Sequence, residues 1–238
     1  MSQITLYAIG DWQSLPTIET RFSLSLEAFE PELREQLLRQ APEAGFRGAE
    51  RRALGRASAQ LIAELHFEGE EFESAIEGAH LLRALAEQNP VALFYEGSEK
   101  LYTPTVGADI DPEDRVCLLH LYLEIWGESA SESRHGRVVA EGLEAFGLPD
   151  IWVLIGSAAP GATTAAAQGL AFALSARLTL EGERFELGER VRASASKPLF
   201  ERCPIPALYS EEESGRNPNG VLCFQRAEEA NESAPALR

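Results

Sequence analysis

Residues 58–95 read SAQLIAELHFEGEEFESAIEGAHLLRALAEQNPVALFY, and a change of hydrophobic period inside this stretch decides the fold class. Leu61, Ala63, Leu65 and Phe67 recur at every second position, the pattern of a strand with one buried face. Over 70–88 the apolar residues Phe72, Ile76, Ala79, Leu82 and Leu85 recur at helical spacing instead. Asn89 and Pro90 end that helix, because the residue before a proline is pushed out of the helical region. Val91-Ala92-Leu93-Phe94-Tyr95 is then a second strand. Strand, helix and strand in this order predict a β-α-β unit with a right-handed connection.

Toward the N-terminus, residues 1–10 read as a strand, and Phe22-Ser23-Leu24-Ser25-Leu26 alternates as a half-buried strand does. Pro31 opens a short helix to about Gln40. Arg47, Arg51, Arg52 and Arg56 lie within ten residues of an otherwise acidic chain. They fit a solvated helix or loop paired with neighbouring glutamates better than an anion site.

Toward the C-terminus, 115–126 is almost wholly apolar and is expected to be a central core strand covered on both faces. A polar loop, the short segment Arg137-Val138-Val139-Ala140, and a core strand at 151–155 follow. An alanine-rich helix at 162–178 completes a second β-α-β-like half. Short strands around Gly188, the turn Asn217-Pro218-Asn219-Gly220 and the strand Val221-Leu222-Cys223-Phe224 close the order. The whole predicts an α+β fold, with a mixed or antiparallel sheet and helices mainly on one face. It spans 1–227 as a single domain, with a division near 107 compatible with the order and a poorly ordered tail at 228–238. Trp126 and Trp152 are expected to be buried near the ends of core strands.

The chain carries 38 acidic against 21 basic residues, a formal charge of -17. Such a field repels phosphate backbones and anionic lipid headgroups, so neither nucleic acid nor a membrane is an expected partner. A basic protein is, with two acidic runs as candidate contact surfaces: Asp109, Asp111, Glu113 and Asp114, and Glu211, Glu212 and Glu213. The long uncharged stretch at 151–176 is broken by Gly156, Pro160 and Gly161, unlike a membrane span. With no basic segment ahead of the first apolar stretch, a cytoplasmic location is expected. Cys117, Cys203 and Cys223 are odd in number and irregular in spacing, which fits reduced core thiols rather than a disulfide framework or a zinc site.

The one motif-like loop is Gly156-Ser157-Ala158-Ala159-Pro160-Gly161-Ala162-Thr163-Thr164, between a strand and a helix. Its glycine spacing matches a phosphate loop, but Ala162 stands where the lysine belongs. Gly156, Ser157, Gly161, Thr163 and Thr164 are therefore an alternative anion site, set against an ordinary turn capped by Thr163 or Thr164. His66, His80, His120 and His135 form no metal-binding spacing. His120 is read as a core side chain of the 115–126 strand, and His135 as the accessible one. Residues 107–114 lack the register of a calcium loop, and Ser157 has no G-x-S-x-G context, so no catalytic residue, metal or cofactor is assigned.

The segment Gly136-Arg137-Val138-Val139-Ala140-Glu141-Gly142-Leu143-Glu144-Ala145-Phe146-Gly147-Leu148-Pro149-Asp150-Ile151-Trp152-Val153 resembles bacterial families of unknown function. In those families a strand runs into Gly-Leu, then Phe-Gly-x-Pro, an acid and another apolar strand. The likeness covers about a third of the chain. Ala140-Glu141 stands where several of those families have His-Thr, so no role for that pair is transferred. The resemblance implies a binding or immunity-type protein rather than an enzyme. Together with the charge it sets the expectation: a non-enzymatic regulatory or immunity-like factor that binds a basic protein. The alternative is a small-molecule enzyme or phosphate-binding domain using the 156–164 loop.

Overall fold

The chain passes several times between two units. The first comprises Met1–Glu124, Glu141–Asp150 and Gly215–Gly220, and the second Ile125–Ala140, Ile151–Ser214 and Val221–Arg238. The computed structural model describes residues 2–18, 20–67, 72–128, 136–155, 161–192, 198–207, 209 and 215–227. Within them, six α-helices and two sheets form an α+β fold. No helix among the described residues is long and apolar enough to cross a membrane.

The first unit holds β1 (Ser2–Gly10), β2 (Ser23–Ala28), α1 (Pro31–Gln40), α2 (Gly48–Arg56), β3 (Ala59–Phe67), α3 (Glu73–Ala86), β4 (Ala92–Tyr95), β5 (Lys100–Tyr102), α4 (Pro104–Ala108) and α5 (Arg115–Tyr122). Its sheet has the order β2-β3-β1-β4-β5, with antiparallel neighbours. The expected β-α-β unit forms with a modification: β1 is inserted between β3 and β4 and runs antiparallel to both, which leaves those two parallel. The reason lies in β1 itself. Ile4, Leu6, Ala8 and Ile9 are fully buried from both faces, which requires a central position. Helices cover both sides, a finer arrangement than helices mainly on one face. Ile4 meets α3 near Gly78, while Ile9, Ala92 and Phe94 pack with Leu37 and Ala41 of the α1 region and Leu54 of α2. Arg47, Arg51, Arg52 and Arg56 sit exposed on or beside α2, whose start is secured by the Arg47 amide donating to Glu50 Oε2 at 2.6 Å.

The expected strand at 115–126 is overturned: residues 115–122 are α5, and only 124–128 are strand. Asp114 is the cause, because its Oδ1 accepts from the Val116 and Cys117 amides and so caps a helix. Leu118, Leu119, Leu121 and Tyr122 turn inward while Val116 and His120 are exposed, so His120 is a surface residue and not a core one.

The second unit carries β6 (Glu124–Glu128), β7 (Gly136–Glu141), β8 (Asp150–Ile155), α6 (Gly161–Leu180), β9 (Arg190–Val191), β10 (Phe200–Cys203) and β11 (Val221–Arg226), in a mixed sheet of order β6-β7-β8-β11-β10-β9, with the terminal residues Glu124, Glu141 and Asp150 belonging to the first unit. Every position of β8 is buried, matching the unbroken apolar run that follows Asp150. α6 turns Ala167, Leu170, Ala171, Leu174 and Leu178 inward. The hydroxyls of Ser175 and Thr179, also buried, donate to carbonyls one turn back at 2.9 and 2.6 Å. Trp152 is buried as expected, whereas Trp126 is only half-buried. Arg137 lies over three rings, with its guanidinium carbon 4.2 Å from the Trp152 centroid, 4.7 Å from Tyr209 and 5.9 Å from Trp126. It also pairs with Glu128 at 2.8 Å.

Candidate functional site

In the first unit, three segments distant in sequence enclose a cavity of about 340 Å³. The turn between β4 and β5 supplies Glu96, Gly97 and Glu99, the stretch 141–150 supplies Glu141, Glu144 and Asp150, and 216–218 supplies Arg216, Asn217 and Pro218. Thr5 of β1 completes the wall. Among the described residues, five carboxyl groups thus face one guanidinium-bearing residue.

Local structure sets each of them. Gly142 adopts a φ of 96°, and a Cβ there would collide with the Tyr122 carbonyl, so only glycine starts the 3₁₀ turn Leu143–Phe146 without strain. That turn sends Leu143 and Phe146 into the core and Glu144 toward β4. Phe146 is held edge-on by Phe72 and Tyr122, and Tyr122 in turn by Tyr95, at centroid distances of 5.2, 5.8 and 4.9 Å. The same Tyr95 donates its hydroxyl to Glu144 Oε1 at 2.5 Å. Gly97 is what leaves room for this bond, since a Cβ there would overlap both Glu144 Oε1 and the Tyr95 hydroxyl.

Asp150 opens β8, and its Oδ1 accepts from the Leu143 amide at 3.2 Å. The Asn217 side chain lies near enough to favour its ionised form, while Asn217 Nδ2 donates to the Leu148 carbonyl at 2.9 Å. Asn217 Oδ1 accepts from the Asn219 amide at 2.8 Å, which ties the expected turn at 217–220 to the floor of the cavity.

Glu144 and Asp150 are each only 7% exposed. Burial raises the Glu144 carboxyl above its ordinary value, against the opposing bonds from Tyr95 and from backbone donors at Glu144 and Gly142. Asp150 is raised well above its ordinary value, first by burial and then by the neighbouring Glu144 charge. Burial and Glu144 also raise the Tyr95 hydroxyl, which keeps it a donor. Tyr7, bonded to Glu96 of the lining, is pushed up to about 12 by burial and by Glu96, whose Oε1 accepts its hydroxyl at 3.4 Å. Glu99 accepts from Gln36 Nε2 at 3.1 Å. The arrangement can hold a cation beside the buried pair. Among the described residues, no group of three or more His, Cys, Asp or Glu is placed to hold a metal ion.

Of the residues singled out as partner contacts, Asp109, Asp111, Glu113 and Asp114 do not line this cavity. Asp109 ends α4, Asp111 Oδ1 accepts from the Glu113 amide at 3.1 Å, and Asp114 caps α5. Glu113 lies 4.0 Å from His80 Nε2. All four are exposed, so that run remains a surface, but two of its carboxylates serve local backbone geometry. Glu211, Glu212 and Glu213 lie outside the described residues, as do Gly156, Ser157, His135 and the tail at 228–238. Gly161 is the first residue of α6, which puts Thr163 and Thr164 inside the helix and rules out either as the cap before it.

Nothing local in the sequence joins the cavity carboxylates, because Glu96, Glu141 and Arg216 meet only in the folded chain. One signal was present: Glu141, Glu144 and Asp150 all fall in the segment that carries the family resemblance. Set against protein-family models, curated proteins and solved structures, the chain gives no significant match to any of them.

Proposed function

We propose that the protein is a non-enzymatic binding protein, a regulatory or immunity-like factor of the cytoplasm, whose first unit receives a lysine or arginine side chain of a basic protein partner. The observation that carries this reading is the lining of the cavity: five carboxyl groups against Arg216 around about 340 Å³. The net charge of -17 adds long-range attraction for a basic partner. The upward shifts of Glu144 and Asp150 fit the same role, because an entering cation favours the ionised carboxylate and drives off its proton. Binding therefore strengthens as pH rises toward and through the raised carboxyl values, and weakens in acid. The alternative of a phosphate-binding enzyme centred on 156–164 draws no support from this cavity, whose charge repels anions.

Calorimetric titration with arginine-rich and lysine-rich peptides at low salt is the direct test. Paired Glu96→Gln and Glu141→Gln should weaken binding about tenfold or more, while the exposed pair Glu32→Gln and Glu43→Gln, outside the cavity, should change it less than about twofold. Equal losses from both pairs would reduce the effect to general surface charge. No peptide binding at low salt, together with no protein recovered from lysate, would overturn the reading altogether.

A further inference from the structure

β10 and β11 pair antiparallel with Cys203 directly opposite Cys223. The Arg202 amide and carbonyl bond to Glu189 and Gly188, away from β11, so the polar backbone groups of the next residue, Cys203, turn toward β11. Directly opposed residues of such a hydrogen-bonded pair have Cα atoms about 5.5 Å apart, inside the range that a disulfide spans. The sulfur atoms are already 3.7 Å apart, and both are free thiols. Val139, Trp152, Leu154 and Tyr209 pack around the pair.

We propose that Cys203 and Cys223 are a redox-active dithiol, converted to an intrachain disulfide by a low-molecular-weight disulfide such as oxidised glutathione. Cys203 is the entry thiol. It is 7% exposed against 1% for Cys223, and burial raises both thiols, Cys223 further than Cys203. The Cys203 thiolate attacks one sulfur of the oxidant, forming a mixed disulfide and releasing one thiol. Cys223 gives up its proton as its sulfur attacks Cys203 Sγ, and the second thiol leaves with that proton. The protein dithiol loses two electrons and two protons, and the small disulfide gains both to become two thiols. The positive charge of Arg137 favours the Cys223 thiolate during the second step. Closure draws the sulfur atoms from 3.7 Å to about 2.0 Å and needs no change of strand register.

Cys117, half-buried on the helix α5, is the internal control, since it has no cysteine opposite it in a strand pair. The experiment incubates the full chain with oxidised glutathione and follows intact mass, then maps the peptides under non-reducing conditions. The expected product has lost two hydrogens, contains a peptide joining Cys203 to Cys223, reverts with dithiothreitol, and melts several degrees higher than the reduced form. Cys117→Ser should leave this behaviour intact. Cys223→Ser should trap glutathione on Cys203, and the mapping of the unmodified chain decides the matter should that variant not fold. Glutathione on Cys117 alone, with Cys203 and Cys223 still free thiols, would overturn the proposal. So would stable mixed disulfides at both strand positions.

Discussion

Arg137 in the second unit and Glu144 in the first are buried to the same degree, each with about 7% of its side chain or residue surface exposed, yet their surroundings treat charge differently. Arg137 has the Glu128 carboxylate at 2.8 Å and the faces of Trp152, Tyr209 and Trp126 around its guanidinium, a setting that replaces water with a counter-charge and three negative ring faces. Glu144 has one phenol and backbone donors, and these offset its desolvation only in part, so its carboxyl holds its proton beyond the ordinary range. The comparison separates two uses of a buried ionisable group. A matched charge holds strands together, whereas an under-compensated one is poised to respond to whatever enters beside it.

The largest test of the comparison is Trp152→Ala. It removes the closest face of the Arg137 box together with a buried indole, and should cost about 3–5 kcal/mol in chemical denaturation. Half-buried Trp126, whose ring is farther from Arg137, should cost about 1–2 kcal/mol when truncated. Equal losses at the two positions would mean that the box does not set the stability of this unit.

Gly97→Ala comes next. Its methyl group collides with Glu144 Oε1 and the Tyr95 hydroxyl, so the variant should lose about 1–3 kcal/mol and the hydrogen bond between those two groups. Carbon-13 labelling of the glutamates would show the Glu144 carboxyl titrating at a changed pH. An unchanged titration would show that the turn at 96–99 yields without disturbing the pair.

The smallest effect is expected from Glu144→Gln, which keeps the shape and removes the ionisation. Because the folded-state value is raised above the unfolded one of 4.5, the contribution of Glu144 to stability is fully present below 4.5 and is lost as pH rises through the folded value. The wild type should therefore lose stability relative to Glu144→Gln across that window, with the difference levelling off at higher pH. A difference that shrinks as pH rises would place Glu144 with Arg137, as a matched charge.

Much of the fold was legible where period and punctuation agreed. The alternation of Leu61, Ala63 and Leu65 gave β3, the spacing of Ile76, Ala79 and Leu82 gave α3, and Pro31 gave the start of α1. Reading failed at 115–126, where a run of apolar residues carries no period of its own and the deciding signal was one carboxylate ahead of it, Asp114. β1 offered a different difficulty. Its sequence shows a buried strand, but nothing local states that it enters between β3 and β4. The cavity and the thiol pair were illegible for that same reason. Glu96 and Asn217, or Cys203 and Cys223, become neighbours only through long-range pairing, and irregular spacing in the chain says nothing about register across a ladder.

The lining of the cavity reaches from Thr5 to Pro218, so its order of assembly during synthesis is fixed. β1 to β5 can pair once Tyr102 has left the ribosome, but the stretch 141–150 and then 216–218 arrive much later. Until they do, Tyr95 has no Glu144 to bond and Asp150 has no Asn217. A nascent chain stalled before Asn217 would carry a folded sheet with an open, unfinished acidic recess, and the binding surface would mature only once Pro218 had been made.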